Sequence, residues 1–256
     1  MPDSLSLTLG RWVSGTAFDA LPTDVVEATK RRVLDVIGLS LAGAETAFGR
    51  SVREAAVAMS PPGPCHVLGT GDAVGVTAAA FANGSFAQAL EYDDTHLESI
   101  VHMSSPSVAA ALALAEWVRL KPDTTDATRV SAAPVASGFS RTISGQDLIT
   151  AIAIGNEISC RVGSVSPGQF HRLGFHPSGL FAPFGIAYLA GKLLGLDEQR
   201  LAYAAGIVGS FAAGLLECWV DGTQPKFLHP GWAAQSGIAA AFLARAGNDG
   251  PGAVFE

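Results

Sequence analysis

Charge is scarce in this chain of 256 residues: only 15% of positions are Asp, Glu, Lys or Arg, against 48% hydrophobic. What charge there is leans acidic, with 16 Lys+Arg against 23 Asp+Glu and a formal net charge of −7, and no basic run occurs. Nucleic acid and anionic membrane surfaces attract the opposite balance, so both are set aside as partners. Cysteine is equally sparse. Cys65, Cys160 and Cys218 lie far apart without a CxxC pair, which argues against a disulfide framework or a structural zinc site and fits a reducing cytoplasm. Long apolar runs are missing too. The stretch 202–216 carries Gly and Ser and falls short of the roughly 20 residues a membrane-spanning helix needs. The opening MPDSLSLTLGRW has no basic segment ahead of an apolar block, so no signal peptide is expected. Disorder of the whole chain is excluded by the same composition, and the length suffices to bury a sizeable core.

What is present is helix-forming sequence of unusual smoothness. Apolar positions at helical spacing predict a helix from about Pro22 to Ala42, followed by one at Gly49–Met59. SPPGPCHVLGTGD interrupts the pattern, and His66-Val-Leu-Gly is its best strand-like piece. Helices are predicted at Val76–Tyr92, with Asn83-Gly84 as a break or a packed kink, and at Pro106–Trp117. Four more follow at Gln146–Val162, Pro177–Leu194, Glu198–Leu216 and Pro230–Ala246. Residues 121–145 are rich in Ser, Thr, Ala, Pro and Gly without apolar periodicity and read as a flexible surface insertion. No repeat or heptad run occurs. Recurring Ala, Gly and Ser let helix axes approach closely, so the expected class is all-α, a compact multi-helix bundle.

One segment breaks the scarcity of charge. Glu91-Tyr92-Asp93-Asp94-Thr95-His96-Leu97-Glu98-Ser99-Ile100-Val101-His102 packs four carboxylates and two imidazoles into twelve positions between two apolar helices. Crowded carboxylates raise one another's pKa and a nearby His titrates near neutrality, which is the material of general acid–base catalysis. A solvated helix-end loop of caps and ion pairs is the structural alternative. A metal set of Asp93, His96 and His102 is a weaker one, since no HExxH or EF-hand spacing is present. Two further places share a design: Phe175-His176-Pro177 and Leu228-His229-Pro230 each set His-Pro at the start of an apolar helix. Helix starts attract anions and press a His toward its neutral form. Lys226 and Arg172 lie close by in sequence, so carboxylate binding is one reading. Capping by His-Pro, with Lys226 reaching out to solvent, is the other. Cys160 and Cys218 read as core thiols, Asn83-Gly-Ser85 as a sequon of no consequence, and His171 as a surface residue.

These segments together resemble the MmgE/PrpD family. The residues that carry the resemblance are Asn83-Gly84 with ALEYDDTH, His102 with PSVAAALALAE, GNEISCRVG at 155–163, GFHPSG at 174–179, and TQPKFLHPGWAAQSGIAAAFLARAGNDGP at 223–251. It runs from about Leu21 to the last residue, apart from 121–145. The resemblance implies a large helical domain with a smaller α/β lid domain, usually a homodimer, working on small polycarboxylates without metal or cofactor. The implied chemistry is that of lyases and isomerases: 2-methylcitrate dehydratase (a role in propionate catabolism), cis-aconitate decarboxylase or iminodisuccinate epimerase. Carried over by motif, the catalytic residues are His102, Glu91, Asp93, His176 and Lys226, with Asp94, His96, Arg172 and His229 binding substrate. The favoured expectation is a dehydratase of a di- or tricarboxylate that abstracts a proton next to a carboxylate. The other class is a catalytically silent helical domain serving dimerisation. Against the family pattern, His102-Met-Ser-Ser-Pro-Ser replaces a common His-Pro-Ser. The lid is expected to be absent, which leaves residues 1–256 as a single helical domain incomplete relative to the family.

Overall fold

The computed structural model describes residues 4–119 and 142–256; most of the insertion expected at 121–145 lies outside them. The described chain is mainly helical. In order it forms α1 (Leu5–Gly15), α2 (Thr23–Ala44), α3 (Ala47–Met59), α4 (Val76–Gln88), α5 (Ser104–Arg119), α6 (Gly145–Ser164), α7 (Gln169–Arg172), α8 (Pro177–Leu193), α9 (Glu198–Gly209), α10 (Cys218–Asp221) and α11 (His229–Arg245). An antiparallel hairpin of β1 (Pro62–His66) and β2 (Ala73–Val74) sits between α3 and α4. Its first strand precedes the strand-like piece expected at 66–69.

The core is built on helices that lack a polar face. α8 is buried almost all round and packs on α6, α11 and α9, while α11 also lies on α4, and α4 in turn on α5, α2 and α3. Helices so enclosed carry little amphipathic contrast. Their axes come close because small residues stand at the crossings. A Cβ on Gly185 of α8 would fall inside van der Waals contact of the Gly155 carbonyl and the Ser159 hydroxyl of α6. Overpacking of this kind costs about 2–3 kcal/mol. Gly185→Ala should therefore lower the unfolding free energy by that amount, read as a lower urea midpoint at unchanged m-value; an unaltered midpoint would show that the α6–α8 crossing can spread freely.

Several boundaries differ from the expected ones, each for a tertiary reason. α1 has no counterpart in the periodicity because its buried positions are Ser6, Gly10 and Val13, and it docks on α9 through backbone contact at Gly10. Asn83-Gly84 does not break α4. The Asn83 amide accepts from Leu68 N at 2.9 Å and donates to His66 O at 3.0 Å, and Gly84 faces Gly231 of α11. Asn83 is buried, so the sequon cannot be read as a glycan acceptor in this fold. The predicted 76–92 helix stops at Gln88 because Glu91 adopts a left-handed φ of 56°. The 198–216 helix stops at Gly209. The start of α8 is as expected, with His176 as N-cap and Pro177 first in the helix. At α11 a 3-10 turn, Pro225–Leu228, runs straight into His229, so this is not a free helix start open to an anion.

Candidate active site

Three segments meet at one place: the connection from α4 to α5, the start of α8, and the turn ahead of α11. Glu91 lies in the turn just after α4, and its carboxylate takes Lys226 Nζ at 2.8 Å. Lys226 does not reach out to solvent. It is buried, with its ammonium 5.8 Å from the centre of the Trp219 ring on α10. Asp93 is buried one step deeper. Its Oδ2 accepts from Ser105 Oγ at 2.7 Å, and its Oδ1, without a hydrogen bond, lies 3.4 Å from His102 Nδ1. The crowded carboxylates thus divide: Glu91 serves the lysine and Asp93 the histidine. His102 follows a tight turn and is fixed at its backbone, where its N–H donates to Ser178 Oγ of α8 at 2.9 Å. Its ring stands 5.6 Å from that of His176, which stands 5.0 Å from that of His229.

Protonation follows from these surroundings. Burial pushes the Asp93 carboxyl above its ordinary range, against the pull of His102 and the Ser105 hydroxyl. Burial, with the charges of His229, His102 and Lys226 after it, drives His176 down to about 2. Burial and then Lys226 bring His229 to about 4. Both imidazoles are therefore neutral at ordinary pH. Their Nδ1 atoms are 2.9 Å apart. One nitrogen must carry the proton and the other the lone pair, so the two rings hold opposite tautomers. His102 Nδ1 points at the Asp94 carbonyl at 3.2 Å and at Thr95 Oγ1 at 3.0 Å. A carbonyl only accepts, so Nδ1 carries a proton and Nε2 is the ring nitrogen left to act as a base.

The histidine pair makes the fold acid-sensitive. An unfolded His takes up a proton below about pH 6.5, whereas the folded pair resists until near its depressed values. Its stability contribution is thus complete above pH 6.5 and shrinks as pH falls toward 4. By pH 5.5 the expected loss is about 2–3 kcal/mol for the pair. Urea unfolding between pH 7.5 and 5 should show this slope, and a double His176→Asn, His229→Asn variant should flatten it. An equal slope in the variant would assign the acid loss elsewhere.

The other expected residues are placed differently. The Asp94 carboxylate accepts from Arg32 Nε at 3.0 Å and from Ser104 N and Oγ at 3.3 and 2.7 Å, capping α5. His96 is committed to its own turn, accepting from Ser99 N at Nδ1, and lines a separate cavity of about 430 Å³ with Glu157, Cys160 and Arg161. Arg172 stands exposed at the end of α7 and is not brought to the imidazoles by any described contact. A cavity of about 550 Å³ near Thr16, Ser144 and Lys192 is likewise apart from them. Sequence reasoning gave no role to Thr95, Ser105, Ser178 or Trp219. Thr95 lies within the motif already singled out. Ser105 and Ser178 lie within the segments after His102 and His176 that carry the family resemblance, while Trp219 carries no local signal. Among the described residues no group of three or more His, Cys, Asp or Glu is arranged to hold a metal ion, and no helix is long and apolar enough to cross a membrane. Cys65 and Cys218 are buried, Cys160 is half-buried, and all three are free thiols.

Comparison with known proteins supplies an independent reference. The family model for the MmgE/PrpD N-terminal domain matches residues 7–256. The chain is 33% identical over 246 residues to a cis-aconitate decarboxylase of Aspergillus terreus, covering 96% of this chain and 46% of that protein. It is 31% identical over 255 residues to the cis-aconitate decarboxylase-like protein oryM of Aspergillus oryzae, covering 99% and 49%. It is 29% identical over 258 residues to the cis-aconitate decarboxylase of Homo sapiens, covering 100% and 49%. The chain spans about half the length of the curated relatives it matches.

Proposed function

The chain belongs to the MmgE/PrpD family, and from that membership we propose that it provides the acid–base and cation half of a lyase site for a small tricarboxylate, cis-aconitate being the favoured substrate. The observation that carries this reading is the convergence of a buried lysine with three imidazoles, two of them held neutral, beside a buried carboxyl. The relatives named cis-aconitate decarboxylase favour a small tricarboxylate as the substrate class. Lys226 would hold a substrate carboxylate by a charge-assisted hydrogen bond, in exchange for or beside Glu91. In decarboxylation the bond to one carboxylate breaks, CO2 leaves, and the electron pair spreads through the double bond toward the remaining carboxylates. Lys226 would stabilise that charge, and His102, once protonated at Nε2, would return a proton to carbon.

Dehydration of 2-methylcitrate or a similar hydroxy acid is the second reading, favoured by Asp93. A carboxyl whose pKa is raised by burial, beside a His base, is suited to pass a proton to a hydroxyl leaving as water. There His102 Nε2 would abstract the proton next to a carboxylate. An epimerase would use the same base without a leaving group.

The domain is proposed to act as a homodimer, in a cytoplasm that keeps its thiols reduced. Leu215, Trp219 and Val220 stand exposed together at the edge of the site, and surface of this kind is commonly covered by a partner. Assays with cis-aconitate, 2-methylcitrate and citrate should be run on this chain and on a polypeptide of the relatives' length. Release of CO2 from cis-aconitate supports the first reading. Growth of ultraviolet absorbance from 2-methylcitrate supports the second. Neither product in the longer polypeptide, with self-association retained, would leave the silent dimerisation module.

A further inference from the structure

Arg32, midway along α2, has no sequence link to the site, yet it begins a chain of contacts that ends on the His102 ring. Its Nε donates to Asp94 Oδ2 at 3.0 Å. Ser104 of α5 supplies that carboxylate with two more hydrogen bonds, and Asn156 Nδ2 of α6 donates to Ser104 Oγ at 3.3 Å. Asp94 is thereby anchored to α2 and α5 directly and to α6 through Ser104. The backbone carbonyl of this same residue receives Nδ1–H of His102 at 3.2 Å. Between the two lies a turn under strain. Ile100 adopts φ 56°, a left-handed conformation that β-branched residues rarely take, and the turn is closed by Ile100 N to His96 O at 2.8 Å and His96 N to Val101 O at 2.9 Å. A strained turn keeps its shape only while its ends are held.

We infer that Arg32 is a positioning residue: by pinning Asp94 it fixes the carbonyl that, nearer to Nδ1 at 3.2 Å than Asp93 Oδ1 at 3.4 Å, keeps the His102 proton on Nδ1 and so leaves Nε2 free. The consequence for turnover rests on the lyase reading above, whereas the tautomer is a property of the folded chain alone. The Arg32–Asp94 pair is partly solvent-exposed, at 37% and 24% of its side chains, so its effect on overall stability is small and the ring is where its loss should register.

The test is long-range proton–nitrogen NMR of histidine-labelled protein, with the His102 signals identified by their loss in His102→Gln. In the parent, the Nδ1–H form should dominate. In Arg32→Met that population should fall at least twofold, and Arg32→Lys should recover most of it. Asp94→Asn should reproduce the fall, so the result does not depend on one variant folding. Lys30→Gln removes a neighbouring charge that pairs with Glu27 and should leave the tautomer unchanged. Under the lyase reading, kcat of Arg32→Met should drop about tenfold with KM nearly constant. An unchanged Nδ1–H population in folded Arg32→Met, or the same fall in Lys30→Gln, overturns the inference. A clear tautomer shift in a protein whose parent turns over no polycarboxylate upholds the positioning role and overturns the lyase reading alone.

Discussion

Lys226→Met should lower kcat/KM for cis-aconitate by about 10²–10³-fold, most of it in kcat. The ammonium is buried, is held by Glu91 at 2.8 Å, and is the one cation that the structure brings to the imidazoles among the described residues. Removing it leaves the charge that develops on the substrate's carboxylates facing the neutral His176 and His229 rings and the Asp93 carboxyl. A group that stabilises growing charge in an enclosed site contributes about 2.7–4 kcal/mol to the barrier, which matches that loss. Met keeps the apolar stem against Trp219, so the fold should hold. Lys226→Arg should restore only part of the rate, since a larger planar fork does not place its charge where the compact ammonium does. The measurement is steady-state kinetics of CO2 release in the polypeptide that turns over, with circular dichroism as the control. A KM rise alone, with kcat intact, would reduce Lys226 to ground-state binding.

His102→Gln should cost about 10²–10⁴ in kcat while KM stays within a few-fold. The ring is held by Ser178 at its backbone and by Asp94 and Thr95 at Nδ1, which leaves Nε2 as the atom free to move a proton. Gln preserves a polar group near Asp93 without a titratable nitrogen. Solvent exchange at the substrate carbon, followed by NMR in deuterated water, should vanish together with turnover. Exchange that persists in His102→Gln would move the base to another residue, with His176 next in the row of rings.

Much of the candidate site is legible in the sequence, and the reason lies in composition. Four carboxylates and two imidazoles within residues 91–102 stand out in a chain so poor in charge. His176, His229 and Lys226 were visible as polar punctuation between apolar helices. What each of them does was not legible. Glu91 and Asp93 are two positions apart, yet a left-handed residue at 91 turns one toward Lys226 and buries the other beside His102. Asp94 looked equivalent to its neighbours and proved to cap α5 under Arg32, a residue 62 positions away. His229 looked like a second anion-binding helix start, but the 3-10 turn before it removes that start, and its Nδ1 is joined instead to His176.

The helical class, most helix spans to within a few residues, and the charged cluster at 91–102 can be read from local sequence. Helix formation is decided by bonds between residues four apart and by apolar spacing, both local to the chain. Tertiary structure alone decided which acid meets which base, which tautomer each imidazole holds, and how far burial depresses His176 and His229. Those properties depend on contacts between residues as far apart as the 135 positions that separate Glu91 from Lys226, and on water excluded by helices from opposite ends of the chain.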